Sequence, residues 1–412
     1  MSRPDDAAGA RRSRSHARWT RVYRGILMAG VVVIALAGGL VALNEGRIVG
    51  DLEERGGLPA FYTVPGDALE GAPGSIVKSE PLLGVPMDTR AWRVMYRSTD
   101  LHGDAVVSTG VVVTPLGSAP AAGRTVASWG HPTTGSAASC APSLGTDPYL
   151  GIEGMRVLLD RGYTVVATDY TGMGADGPDS YLIGATAGHN VLDAVRAARA
   201  IPESEAGSDV VLWGHSQGGQ AVLFAAELAA DYAPELTVKA VAAAAPAADL
   251  SALMKTHLDD ISGVTIGSYA FTAFSEVYAD RGADIAGILT PAAVAIQPQM
   301  NELCLLTHID QLHRIAQPVV GAFVSADPTA TEPWATLLKE NSAGATSFTA
   351  PLLVVQGLKD ELVRPADTEG YVALAQSLGM DVTYRTVDVA THGTIAYLGL
   401  ADLAGFLDTL GL

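Results

Sequence analysis

Gly214-His215-Ser216-Gln217-Gly218 matches the pattern G-x-S-x-G, and a serine so flanked can serve as a nucleophile. The pattern alone is weak in a chain with 45 glycines. Its setting gives it weight. The apolar run Asp209–Trp213 before it reads as a buried strand, and an apolar helical pattern starts at Gln217. Strand, sharp turn and helix in that order push a serine Oγ clear of a sheet. Gly214 and Gly218 let strand and helix approach closely, and the helix N-terminus directs N–H groups toward developing negative charge.

A serine hydroxyl needs a base. His392 is the last of nine histidines and lies in the loop Ala390-Thr391-His392-Gly393, between the last strand pattern and the last helix. With this kind of turn the chain order is serine, acid, histidine, which selects His392. His215 adjoins Ser216 but faces the wrong way along the turn, and His131, His189, His257, His308 and His313 precede the acid or lie in the cap expected over residues 248–346. The acid must orient the imidazole and stabilise its cation. Asp360 follows the strand-like run PLLVVQ in Gly357-Leu358-Lys359-Asp360. Its competitors are Glu361, one residue off that register, and Asp388, on the same short segment as His392. Two N–H donors are needed for an oxyanion. One is the backbone of Gln217; the other comes from Gly130-His131-Pro132-Thr133-Thr134-Gly135. Pro132 has no N–H, so Thr133 is favoured, with Thr134 behind it.

These residues need elements to hold them. Ala91–Ser98 and Ala105–Thr114 read as an antiparallel hairpin. Strand and helix patterns then alternate: strands at Thr125–Trp129, Tyr163–Thr168, Asp209–Trp213, Val238–Ala244, Pro351–Gln356 and Val382–Val387, and helices at Tyr149–Arg161, Thr186–Ala200, Gln217–Ala230, Thr368–Leu378 and Thr394–Leu410. Alternation means a mostly parallel sheet covered by helices on both faces, made mixed by the hairpin. Residues 248–346 break the alternation and read as a mainly helical cap over the carboxyl ends of the strands. The core is therefore 61–247 and 347–412, preceded by a basic segment 1–25, an apolar run 26–43 and a linker 44–60, within a stretch rich in Gly and Pro that shows no period as far as residue 88.

Composition narrows the partners. The net charge is −18, and so acidic a chain repels phosphate backbones, which argues against nucleic acid. No protein partner is evident. The histidines lack ligand spacing, so no metal is expected, and no phosphate-binding glycine loop follows a strand. The run Ile26–Leu43 holds 18 uncharged residues, about 27 Å as a helix and about one bilayer core. Seven arginines precede it and Asn44-Glu45 follow it, an orientation with the C-terminal side exported. It is either an uncleaved anchor, leaving an extracytoplasmic catalytic domain on the membrane, or a cleaved secretion signal. An even pair of cysteines, Cys140 and Cys304, can close one disulfide in an exported chain.

GHSQGG, GHPTTG, Asp169-Tyr170-Thr171-Gly172-Met173-Gly174 and the late Thr391-His392-Gly393 together resemble the secretory lipase family, from about Phe61 to the C-terminus. That resemblance implies an α/β-hydrolase fold with a cap inserted before the strand that leads to the acid. It also implies activity on acylglycerols or similar esters, no cofactor, and triad roles for Ser216, Asp360 and His392. Pro132 departs from the glycine common in such loops, and bears on which residue donates. In this arrangement a bridge between Cys140 and Cys304 would tie the cap to the rim of the site.

The expected activity is carboxylic-ester hydrolysis of an apolar ester or lipid through an acyl-enzyme. The same triad also suits a peptidase or an acyltransferase. A reading of another class is an inactive, membrane-tethered binding protein, against which the complete triad argues. Apolar cap stretches such as Ile285–Leu289 and Pro291–Ile296 favour esters over peptides.

Overall fold

The computed structural model describes residues 59–412. The apolar run 26–43 and most of the linker 44–60 lie outside the described residues. Among the described residues, no helix is long and apolar enough to cross a membrane.

Nine strands form one sheet in the order β1-β2-β3-β5-β4-β6-β7-β8-β9. They are β1 (Ile76–Pro81), β2 (Thr89–Thr99), β3 (Ala105–Pro115), β4 (Arg124–Gly130), β5 (Thr164–Thr168), β6 (Ala206–His215), β7 (Thr237–Ala244), β8 (Leu352–Gly357) and β9 (Val382–Val387). The first three pair antiparallel, and β3 meets β5 antiparallel. Every pairing from β5 through β4, β6, β7 and β8 to β9 is parallel. The expected mixed, mostly parallel sheet is present. β5 and β8 are buried at every position, as strands covered on both faces must be.

The sheet divides the core. Val210 and Leu212 of β6 join one apolar cluster, Val211 and Trp213 the other, because successive side chains leave opposite faces. Helix α1 (Met155–Asp160) lies between β4 and β5, α2 (Gly184–Arg199) follows β5 and α3 (Gln217–Tyr232) follows β6. Five more, α4 (Leu250–His257), α5 (Ile261–Val277), α6 (Pro291–Asn301), α7 (Leu305–Ala316) and α8 (Trp334–Glu340), lie between β7 and β8. This helical insertion leaves one strand and returns to its neighbour; at its neck the Ala343 N–H donates to the Ala248 carbonyl at 2.8 Å. Helices α9 (Pro365–Ser377), α10 (Ile395–Leu398) and α11 (Leu400–Thr409) complete the chain.

Three local expectations need correction. The helix expected over Tyr149–Arg161 is confined to α1, because Gly154 has φ 81° and cannot sit inside a right-handed helix. The helix expected over Thr394–Leu410 is two pieces that meet at Gly399. The stretch before residue 88, expected as loop, contains β1. Its Lys78, Ser79, Glu80 and Pro81 are residues tolerated on an edge strand, where one row of backbone groups needs no partner strand.

Candidate active site

β6 ends at His215 and α3 begins at Gln217, so Ser216 alone makes the turn. Its φ is 57° and ψ −118°, a conformation a non-glycine residue holds only when its surroundings over-determine it. They do so here. The Ser216 N–H donates to the Ala244 carbonyl at 2.9 Å, and the Ser216 carbonyl accepts from Ala247 at 3.0 Å. A Cβ on Gly214 would lie 2.1 Å from the Gly218 carbonyl oxygen, so the turn closes this tightly only with glycine at that position.

The Ser216 Oγ lies 2.8 Å from His392 Nε2, and His392 Nδ1 lies 2.8 Å from Asp360 Oδ2. A carboxylate only accepts. Nδ1 therefore carries the proton toward Asp360, and the Nε2 lone pair faces the serine hydroxyl, which donates to it. Asp360 is 4 % exposed. Its Oδ1 accepts from the N–H groups of Leu362 and Val363, each at 2.9 Å, so the carboxylate is held on both sides. Glu361 is exposed and Asp388 is not hydrogen-bonded to His392.

Gln217 and Thr133 line the same cavity as Ser216 and His392. Neither N–H donates to a backbone acceptor among the described residues. Thr133 Oγ1 and the Tyr181 hydroxyl are 2.7 Å apart, and Tyr181 packs edge-on against Tyr269 of α5 at 5.6 Å between centroids. The cavity holds about 490 Å³, within the usual span for a small-molecule site. The insertion contributes Leu253, Ile266, Leu305 and Leu306 to its walls, and the core contributes Trp129, Leu182, Leu362 and Val363.

Cys140 and Cys304 are joined by a disulfide. Cys140 follows the loop that carries Thr133, and Cys304 precedes α7, so the bond links core to insertion. Among the described residues no group of His, Cys, Asp or Glu is arranged to hold a metal ion.

Several polar residues around the site carry no signal in the sequence. His215 turns its Nδ1 to Glu153 Oε2 at 2.9 Å, with its ring 5.0 Å from that of His392. Asp169, at the end of β5, accepts from Thr109 at 2.6 Å and from the backbone and hydroxyl of Ser143. Burial pushes the Asp169 carboxyl up and the neighbouring His131 imidazole down. Asp179, in the loop before α2, accepts from the Tyr181 N–H at 3.0 Å. Burial, helped by the charge of Glu276 on α5, pushes its carboxyl up to about 7. On the insertion, His257 bonds Asp260 and reaches the Leu362 carbonyl beside the acid. Apart from the local bond between Asp179 and Tyr181, these contacts join segments far apart in the chain or place a lone histidine in an ordinary helix, so only the folded geometry reveals them.

The fold is similar to that of Candida antarctica lipase A in its closed state, with a TM-score of 0.71, 21% identity and 85% of each chain covered. In sequence the chain is similar to lipase A of Moesziomyces aphidis, at 24% identity over 90% of this chain and 85% of that one. It is also 23% identical to a probable inactive lipase of Mycobacterium tuberculosis, over 79% of this chain and 75% of that one. The model of the secretory lipases matches residues 151–404, a span that holds the serine turn, the whole insertion, the acid loop and the histidine loop. By that match the chain belongs to the secretory lipase family and is a carboxylic ester hydrolase.

Proposed function

We propose that the protein cleaves apolar carboxylic esters, acylglycerols among them, through an acyl-enzyme on Ser216. The observation that carries this is the unbroken chain Ser216–His392–Asp360, with both links at 2.8 Å, on the wall of an apolar cavity. His392 takes the serine proton as Oγ attacks the ester carbonyl, and Asp360 steadies the imidazolium. The N–H groups of Gln217 and Thr133 receive the oxyanion. His392 then returns its proton to the departing alcohol, and water enters by the same route to release the acid. Residues 248–346 act as a cap whose leucine and isoleucine side chains receive the acyl chain.

The apolar run 26–43 and the arginines before it support export of the catalytic body, on a membrane anchor or after cleavage. An apolar ester at a lipid surface is a substrate suited to either arrangement.

The test is hydrolysis of p-nitrophenyl esters of graded acyl length by the full-length chain in detergent, with Ser216→Ala alongside. Turnover lost in the variant supports the reading, and the preferred length sizes the pocket. A folded protein inert to every ester shifts the reading to a peptidase, an acyltransferase or an inactive binding protein.

A further inference from the structure

His257 ends α4 on the cap and is 5 % exposed. Its Nδ1 lies 2.6 Å from Asp260 Oδ2, and its Nε2 lies 2.8 Å from the carbonyl oxygen of Leu362. The ring therefore sits between Asp260, just ahead of α5, and the peptide unit of Leu362, within hydrogen-bonding distance of both.

What that pair touches gives it a role. The Leu362 residue whose carbonyl receives Nε2 donates its own N–H to Asp360 Oδ1 at 2.9 Å. Asp360 Oδ2 holds His392. A continuous hydrogen-bonded path thus runs from the cap, through one peptide unit of the acid loop, to the triad. At its cap end Asp260 is anchored, because its Oδ1 accepts from the Gly263 N–H at 2.9 Å at the start of α5.

We propose that His257, paired with Asp260, is a positioning residue that pins the acid loop to the cap and so holds Asp360 in register with His392. Without that tie the loop shifts away from the cap, and turnover falls while substrate binding is kept. This inference rests on the ester hydrolysis proposed above.

The test compares His257→Gln and His257→Ala with the native full-length protein by ester kinetics, and by nitrogen spectra of protein labelled with heavy nitrogen in its histidines. Glutamine keeps a donor for the Leu362 carbonyl, so its kcat is expected to stay close to the native value. Alanine removes the tie, with an expected loss of about tenfold in kcat and little change in KM, and with the His392 signals displaced as Asp360 leaves register. Equal losses in both variants, an alanine loss that falls on KM instead of kcat, or His392 signals unmoved in His257→Ala overturn the proposal. A native protein without esterase activity refutes the hydrolysis instead, while the His392 signals still report on the loop.

Discussion

Gly218 and Gly130 meet backbone to backbone, and a Cβ on Gly218 would lie 1.8 Å from the Gly130 carbonyl oxygen. The start of α3 is thereby pressed against the end of β4, from which the loop bearing Thr133 departs. Gly218→Ala is expected to force these segments apart, at about 1–3 kcal/mol of stability, as overpacking usually costs. Because the two proposed oxyanion donors ride on the separated segments, kcat should fall more than thermal unfolding suggests. Paired calorimetry and ester kinetics check this.

Asp360→Asn keeps an oxygen for the Leu362 and Val363 N–H groups but can turn an N–H toward His392. The imidazole then carries its proton on Nε2 and offers Ser216 no lone pair. A loss of order 10³–10⁴ in kcat is expected, with near-native stability. Steady-state kinetics on a short ester reads it, and a loss under tenfold would argue for another acid.

Thr133→Ala and Thr133→Pro separate side chain from backbone. Alanine removes the hydroxyl bonded to Tyr181 and keeps the N–H; proline removes the N–H. If that N–H receives the oxyanion, proline should cost about 10²–10³ in kcat and alanine far less. Equal losses would assign the effect to the tie with Tyr181.

Replacing Cys140 and Cys304 together by serine opens a bridge between positions 164 residues apart. Chain-entropy arguments put such a closure at about 4–5 kcal/mol. A lower denaturant midpoint is expected, with the cap freed from the rim before the sheet unfolds. Proteolysis under native conditions should cut first within residues 248–346.

Stability should also depend on pH through Asp179, whose carboxyl is raised from 3.8 to about 7. Between those values the folded protein keeps a proton that the unfolded chain releases, so stability falls as pH rises through the window. Asp179→Asn removes that slope. Its melting temperature relative to the native protein should therefore climb between the acidic and the neutral end of the window. A constant difference would show that Asp179 ionises freely in the fold. Glu227, pushed up to about 7 mainly by burial, contributes in the same sense and remains in both proteins.

The serine turn was legible because its requirements are local: two small residues, an apolar strand before and an apolar helix after. The meeting of Asp360 and His392 with Ser216 was legible through chain order, since the topology brings the loops after β8 and β9 beside the turn. β1 was not, because an edge strand carrying Lys78, Glu80 and Pro81 lacks the apolar alternation of a half-buried strand. The breaks at Gly154 and Gly399 escaped notice because a single glycine inside a helical pattern is usually tolerated. Glu153, Tyr181 and His257 were illegible for another reason. Each earns its place by a partner on a distant segment, and nothing adjacent in the chain records that partner.

The neck at Ala248 and Ala343 has a consequence for how such a protein changes over time. The whole helical excursion departs and rejoins between two neighbouring parallel strands, so it can be lengthened, trimmed or exchanged without shifting the register of either. Ser216, Asp360 and His392 stay on the sheet while the excursion supplies one part of the cavity wall. The disulfide, the packing of Tyr181 on Tyr269 and the contact from His257 are among the stitches beyond that neck, and a graft that omits them would carry over a pocket but not its alignment with the reacting groups.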